Sequence, residues 1–222
     1  MMETMNRTEV PETKPGRSRR WTRVLRTVVL LLVAVGAGLL VAQVAVRSFR
    51  PHAYAGTVFP SAPPAAALDG LTLSSGDPAN LDDFAGDVVL MYFGYTHCPD
   101  VCPTTLSVAA EAIDGLGDDG EQVQLLMISV DPARDPLGDL GAYVQHFHPD
   151  FLGAGGDEDA IADVASLYGI YYELHEPDDT GNYVVDHTAT LMGIDPDGNL
   201  KVLWDPSVTP DDLEADLKEL IK

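Results

Sequence analysis

Residues 87–103 read "DVVLMYFGYTHCPDVCP". Val88 to Phe93 is an unbroken apolar run of strand length, which predicts a strand buried on both faces. Cys98 and Cys102 follow it, the only two cysteines in 222 residues. Pro103 suits the first turn of a helix. From Thr104 to Gly115 the apolar residues Leu106, Ala109, Ala110 and Ile113 then fall on one helical stripe. The stretch therefore predicts a strand, a loop bearing both sulfurs, and a helix. In open α/β sheets, sites gather at this end of a strand.

The same alternation continues outward. "GLTLSSGDPANLDDF" (70–84) looks like a short hairpin and a turn. "QVQLLMISV" (122–130) is a second buried strand. A weaker helix is predicted over Leu137–His146, interrupted by Gly138 and Gly141, then a short strand from Phe151-Leu152. Asp157–Tyr168 is a clear helix, with Ile161, Val164, Ala165 and Tyr168 on one face. "IYYEL" (170–174) precedes an acidic turn at Pro177–Gly181. "NYVVDHTATLMGI" then returns as a strand, with His187 opening the segment Thr188–Ile194. It pairs with "NLKVLW" through the Asp197-Gly198 turn signal. A final helix begins at Thr209 as cap, Pro210 at the first helical position, and Asp211 and Asp212 at the positive end. Strands alternating with helices predict an α/β layer fold, a central sheet flanked by helices.

Before this domain, Thr27–Val46 is 20 residues without a charge. A helix of that length spans about 30 Å, the thickness of a bilayer core. Arg17, Arg19, Arg20, Arg23 and Arg26 precede it, and a basic flank stays cytoplasmic. We expect a cytoplasmic basic tail over 1–26, a single transmembrane anchor over 27–46, and a connector over 47–67 with four prolines. The domain, 68–222, is then extracytoplasmic at the cell membrane. Ala53-Tyr54-Ala55 has the form of a signal cleavage site. The apolar run is longer than a signal core and ends well before that site, so an uncleaved anchor is the preferred reading.

Charge is lopsided. Residues 1–50 carry nine basic and three acidic side chains; residues 51–222 carry four and 32, a net −28. Such a surface repels nucleic acid and anionic headgroups. It fits either a salty habitat, where the Debye length falls to about 3 Å at 1 M, or a basic partner.

The cysteines leave three readings open. A structural bridge would close a very small loop and constrain little chain entropy. A redox pair usually has two intervening residues, and here there are three. Metal ligation is the third reading, since the longer spacing lets two sulfurs open around an ion. The helix N-terminus favours thiolates at both positions, while Asp100 opposes them.

"FGYTHCPDVCPTTL", then "ISVDPARD", then "DHTATLMGIDPDG" resemble the Sco/SenC family, in that order and over roughly residues 56–222. The resemblance implies a membrane-tethered, thioredoxin-like copper-binding protein that helps assemble the dinuclear copper centre of cytochrome c oxidase. It implies Cys98, Cys102 and His187 as ligands of one copper ion, Cu(I) or Cu(II), with Asp131 in support. The implied partner is cytochrome c oxidase subunit II or a similar copper acceptor, with a copper donor or a thiol reductant as a further partner. On this reading the chain is a metallochaperone. A thiol–disulfide oxidoreductase acting through Cys98 and Cys102, or a redox or copper sensor, is the alternative. Thiolates and imidazole suit copper, with zinc as the physical competitor. His97 is expected near the site or on a partner-facing surface, Tyr95 at its rim, and Arg134 with Asp135 around Asp131. His146, His148 and His175 are expected at the surface, and Met127 and Met192 in the core. The family's Asp-Phe pair before the first hairpin is absent here, where "PPAAALDGLTL" stands.

Overall fold

The computed structural model describes residues 17–48 and 52–222. The chain divides into two compact units, Met1–Pro51 and His52–Lys222. The first contains helix α1 (Arg17–Ser48). Among the described residues it holds the one stretch long and apolar enough to cross a membrane, Trp21–Gln43, a few residues earlier than the apolar run suggested.

The second unit begins with strands β1 (Thr57–Val58) and β2 (Thr72–Leu73), followed by β3 (Val88–Gly94) and helix α2 (Val101–Gly115). Strand β4 (Val123–Ser129), helix α3 (Leu137–Gln145), strand β5 (Leu152–Gly155) and helix α4 (Glu158–Leu167) continue it. The chain ends with β6 (Tyr172–Leu174), β7 (Val185–His187), β8 (Leu191–Ile194), β9 (Leu200–Trp204) and α5 (Pro210–Leu220). Seven strands form one mixed sheet in the order β1-β9-β8-β3-β4-β5-β2, and β6 and β7 form a separate two-stranded sheet. Strands β3, β4 and β5 run parallel, while β8, β9, β1 and β2 are antiparallel to their neighbours.

The centre of this sheet follows from the apolar runs. Every residue of β3 is buried, and Leu90, Met91, Tyr92 and Phe93 are wholly so. Each such side chain contributes roughly 1.5–3 kcal/mol by leaving water. Met127 and Met192 are core residues on β4 and β8. Side-chain caps start two of the helices. Asp157 accepts from Ala160 N at the start of α4, and Thr209 accepts from Asp212 N at the start of α5.

Two expectations need correction. The hairpin expected in 70–84 survives only as an isolated bridge between Thr72 and Pro78, because β2 spends its pairing on β5. The long strand expected to contain His187 is broken. His187 closes β7, opposite Tyr172 of β6, and the sheet strand β8 starts only at Leu191.

The connector expected over 47–67 is also packed from His52 onward. Asp216, buried on α5, accepts hydrogen bonds from Trp204 Nε1 at 2.7 Å and from Ala55 N at 3.0 Å. His52 Nε2 lies 2.6 Å from the same carboxylate. Together with the β1–β9 pairing, this clamp ties the start of the unit to its C-terminal helix.

Candidate metal centre

Strand β3 ends at Gly94, and the chain then turns through Tyr95–Asp100 into α2. This loop is pinned from below. Asp135, buried beyond the end of β4, accepts from Thr96 N at 3.0 Å, from Thr96 Oγ1 at 2.5 Å and from Ser129 Oγ at 2.6 Å. Cys98 follows in the loop, and Cys102 lies in the first turn of α2. The Cys102 N–H points at Cys98 Sγ, 3.4 Å away, as expected for an anion-accepting helix end.

His187 arrives from the other side, on β7. Its Nδ1 lies 3.2 Å from the Thr188 carbonyl, and its Nε2 lies 3.4 Å from Cys102 Sγ. Donation from Nδ1 to that carbonyl leaves the Nε2 lone pair facing the sulfurs. The ligand atoms of Cys98, Cys102 and His187 all lie within 4.8 Å of one another, the one such His/Cys/carboxylate group among the described residues. An ion with ligand distances of about 2.0–2.3 Å fits among three such atoms after small side-chain adjustments.

The sulfurs differ in access. Cys102 is 0% exposed and Cys98 9%. Gly94 makes the deep position possible. A Cβ there would stand 2.9 Å from Cys102 Sγ and 2.8 Å from Tyr92 Cε1. Burial pushes the Cys102 thiol up to about 12, although the Tyr95 backbone N–H and the Tyr92 hydroxyl both pull it down. Burial thus outweighs the pull of the helix end at this sulfur in the metal-free protein. Burial also holds the His187 imidazole below its ordinary value, so the ring is neutral and its Nε2 is free to serve a metal.

Asp131 does not touch the sulfurs or His187. Its carboxylate accepts from Arg134 Nε at 2.5 Å and from the Tyr183 hydroxyl at 2.6 Å. Arg134 also donates to the Tyr183 carbonyl at 2.8 Å and stacks over the Tyr183 ring at 3.5 Å. Tyr183 lies two residues ahead of the strand that delivers His187. Asp131 thus secures the histidine side of the site, as Asp135 secures the cysteine side. The sequence paired Arg134 and Asp135 around Asp131. In the structure Arg134 alone pairs with Asp131, and Asp135 turns to Thr96.

His97 is exposed, with Nδ1 3.0 Å from Thr96 Oγ1 and 3.7 Å from Asp135. It stands outside the cluster, on the solvent side of the cysteine loop. Tyr95 is buried, its ring edge-on to His187 at 5.8 Å. His146 and His175 are exposed, and His148 is partly buried near Asp114.

A family model for SCO1/SenC matches residues 70–222.

This chain belongs to the SCO1/SenC family.

The mitochondrial SCO2 homolog of Bos taurus is 37% identical over 185 residues, which cover 78% of this chain and 67% of that protein. Apo Sco1 from Thermus thermophilus shares 38% identity at a TM-score of 0.68, covering 76% of this chain and 98% of that one. ScoI from Bradyrhizobium japonicum, solved with copper bound, shares 35% identity at a TM-score of 0.63, covering 76% and 99%. The fold is accordingly thioredoxin-like, as the motifs implied. The SCO1/SenC motifs account for the sulfurs and the histidine. They did not single out the roles of Gly94, Tyr92 and Tyr183, which act through close approach and hydroxyl hydrogen bonds. For Tyr92 the one sequence signal was its place in the apolar run of β3, which equally suits plain core.

Proposed function

We propose that this chain is a membrane-tethered copper carrier that delivers copper to the dinuclear centre of cytochrome c oxidase subunit II during assembly. Cys98, Cys102 and His187 hold one ion as cargo. The observation that carries this reading is the convergence of two sulfurs and one neutral imidazole nitrogen within 4.8 Å. Soft sulfur donors with imidazole select copper over hard cations. The copper-bound ScoI relative supports copper over zinc.

Burial of Cys102 also favours metal over thiol exchange. A neutral, enclosed thiol is a poor attacking group, whereas a cation bound beside it offsets the cost of burying a thiolate. Cys98 and His187 lie nearer the surface, where an acceptor's own thiolates or imidazoles can replace them one at a time. The α1 helix crosses the membrane once, with its arginine flank cytoplasmic and the domain outside. Tethering beside a membrane-bound acceptor raises the effective concentration without new contacts.

The test is an anaerobic optical titration of the reduced full chain in detergent with Cu(II), with His187→Ala in parallel. We expect a thiolate-to-copper band that saturates at one ion per chain and is altered in the variant. Oxidation of the thiols with no stable complex, alike in both proteins, would remove the carrier reading and favour thiol–disulfide exchange.

A further inference from the structure

The three ligands leave the buried hydroxyl of Tyr92 unexplained. Tyr92 lies wholly inside β3, where phenylalanine would satisfy the apolar environment equally well. Its hydroxyl donates to Cys102 Sγ across 3.6 Å. The other hydroxyl within its reach, Thr105, donates to the Val101 carbonyl at 2.9 Å. The Tyr92 ring also stands edge-on to His187 at 6.1 Å. With Gly94 two residues along the same strand face, Tyr92 forms the wall against which Cys102 Sγ rests.

We infer that Tyr92 is a positioning residue for the Cys102 sulfur: its hydroxyl holds that sulfur in place and draws electron density from it. The consequence for copper rests on the function proposed above. When the sulfur is a metal-bound thiolate, this contact becomes a charge-assisted hydrogen bond, stronger than that to a neutral thiol. The same donor favours the free-sulfur form over the disulfide, whose sulfurs are poorer acceptors.

The test uses the full chain in detergent with Tyr92→Phe, and with Tyr168→Phe as the control. Tyr168 also has a partly buried hydroxyl, bonded to the Ala66 carbonyl away from the site. In competition with a Cu(I) chelator, Tyr92→Phe should bind about tenfold to a hundredfold more weakly. Its thiolate-to-Cu(II) band should move to longer wavelength. Tyr168→Phe should change neither. A fluorinated tyrosine at position 92, whose hydroxyl is a stronger donor, should move the band the opposite way.

A metal-free arm separates this inference from the copper reading. The protein is equilibrated with glutathione, where the Cys98–Cys102 disulfide and two glutathione thiols give two cysteine thiols and one glutathione disulfide. Tyr92→Phe should shift that balance toward the protein disulfide by about threefold or more. If the wild type takes up no copper but this shift appears, the role of Tyr92 stands and the carrier reading falls. If Tyr92→Phe keeps the wild-type affinity, band and thiol balance, Tyr92 is core packing and the inference is overturned.

Discussion

At the scale of single residues, the proton on Cys102 governs what the site can hold. A thiol pushed up to about 12 keeps its proton throughout the physiological range, so a metal must displace it. Raising the pH removes the competing proton, and affinity should climb by at least about tenfold per pH unit below 12. His187 works the other way. Burial lowers its value, so it stays unprotonated into more acidic solution and adds no competition above the ordinary imidazole range. Chelator competition for Cu(I) at pH 6, 7 and 8 measures the slope, and a flat profile would contradict a protonated resting thiol.

The cysteines were legible from their type and their place after a strand. The state of Cys102 was not, for a reason of magnitude. A helix end contributes about 0.3–1 kcal/mol at exposed positions and up to about 2 in partly buried ones. Complete enclosure moves a titrating group by several times 1.36 kcal/mol. Enclosure depends on Gly94, Tyr92 and Met127 closing over the sulfur, and no local pattern announces that. His187 was legible only through the family motifs, because its partner Cys102 is 85 positions away.

At the scale of elements, the caps carry measurable weight. Thr209 Oγ1 accepts from Asp212 N at 3.2 Å and donates to the Asp212 carboxylate at 2.8 Å. Replacing Thr209 with Ala should cost about 1 kcal/mol, read as a lower urea midpoint with an unchanged slope, and Thr209→Ser should restore most of it. An unaffected midpoint would mean that packing of Leu213, Leu217 and Leu220 and the Asp216 clamp hold α5 without the cap. Strands β3 and β4 and helices α4 and α5 were legible because each has an unambiguous period or cap. The break between β7 and β8 was not. "VVDHTATLMGI" keeps strand-like residues throughout, and only the pairing of Tyr172 with His187 shows that its first part belongs to another sheet. That break is what frees His187 from the main sheet to face the cysteine loop.

At the scale of the whole molecule, the net −28 over residues 51–222 is a self-repelling charge. The described ion pairs include only Arg134, Lys218 and Lys222 among the lysines and arginines, so few acidic groups have a fixed basic partner. Screening should therefore stabilise the domain. Between about 0.05 M and 1 M KCl the thermal midpoint should rise by roughly 5 °C. A midpoint that stays level or falls would indicate that local hydrogen bonds already neutralise the surface.

The clamp on Asp216 joins positions 164 residues apart, and β1 lies along β9 across a similar interval. Contacts of such span close late in folding, since the intervening chain must order first. They also decide what a protease can do to this protein. Strand β1 is the cover on the β9 edge of the seven-stranded sheet. A cut just beyond Val58 would release the membrane helix and strip that cover in one event. The shed domain would keep the contacts of Phe59 and Pro63 with Lys201 and Leu200 but expose the β9 edge at Val202 and Leu203, the kind of surface that recruits a second copy of itself. Cleavage at this seam would therefore yield a fragment prone to self-association.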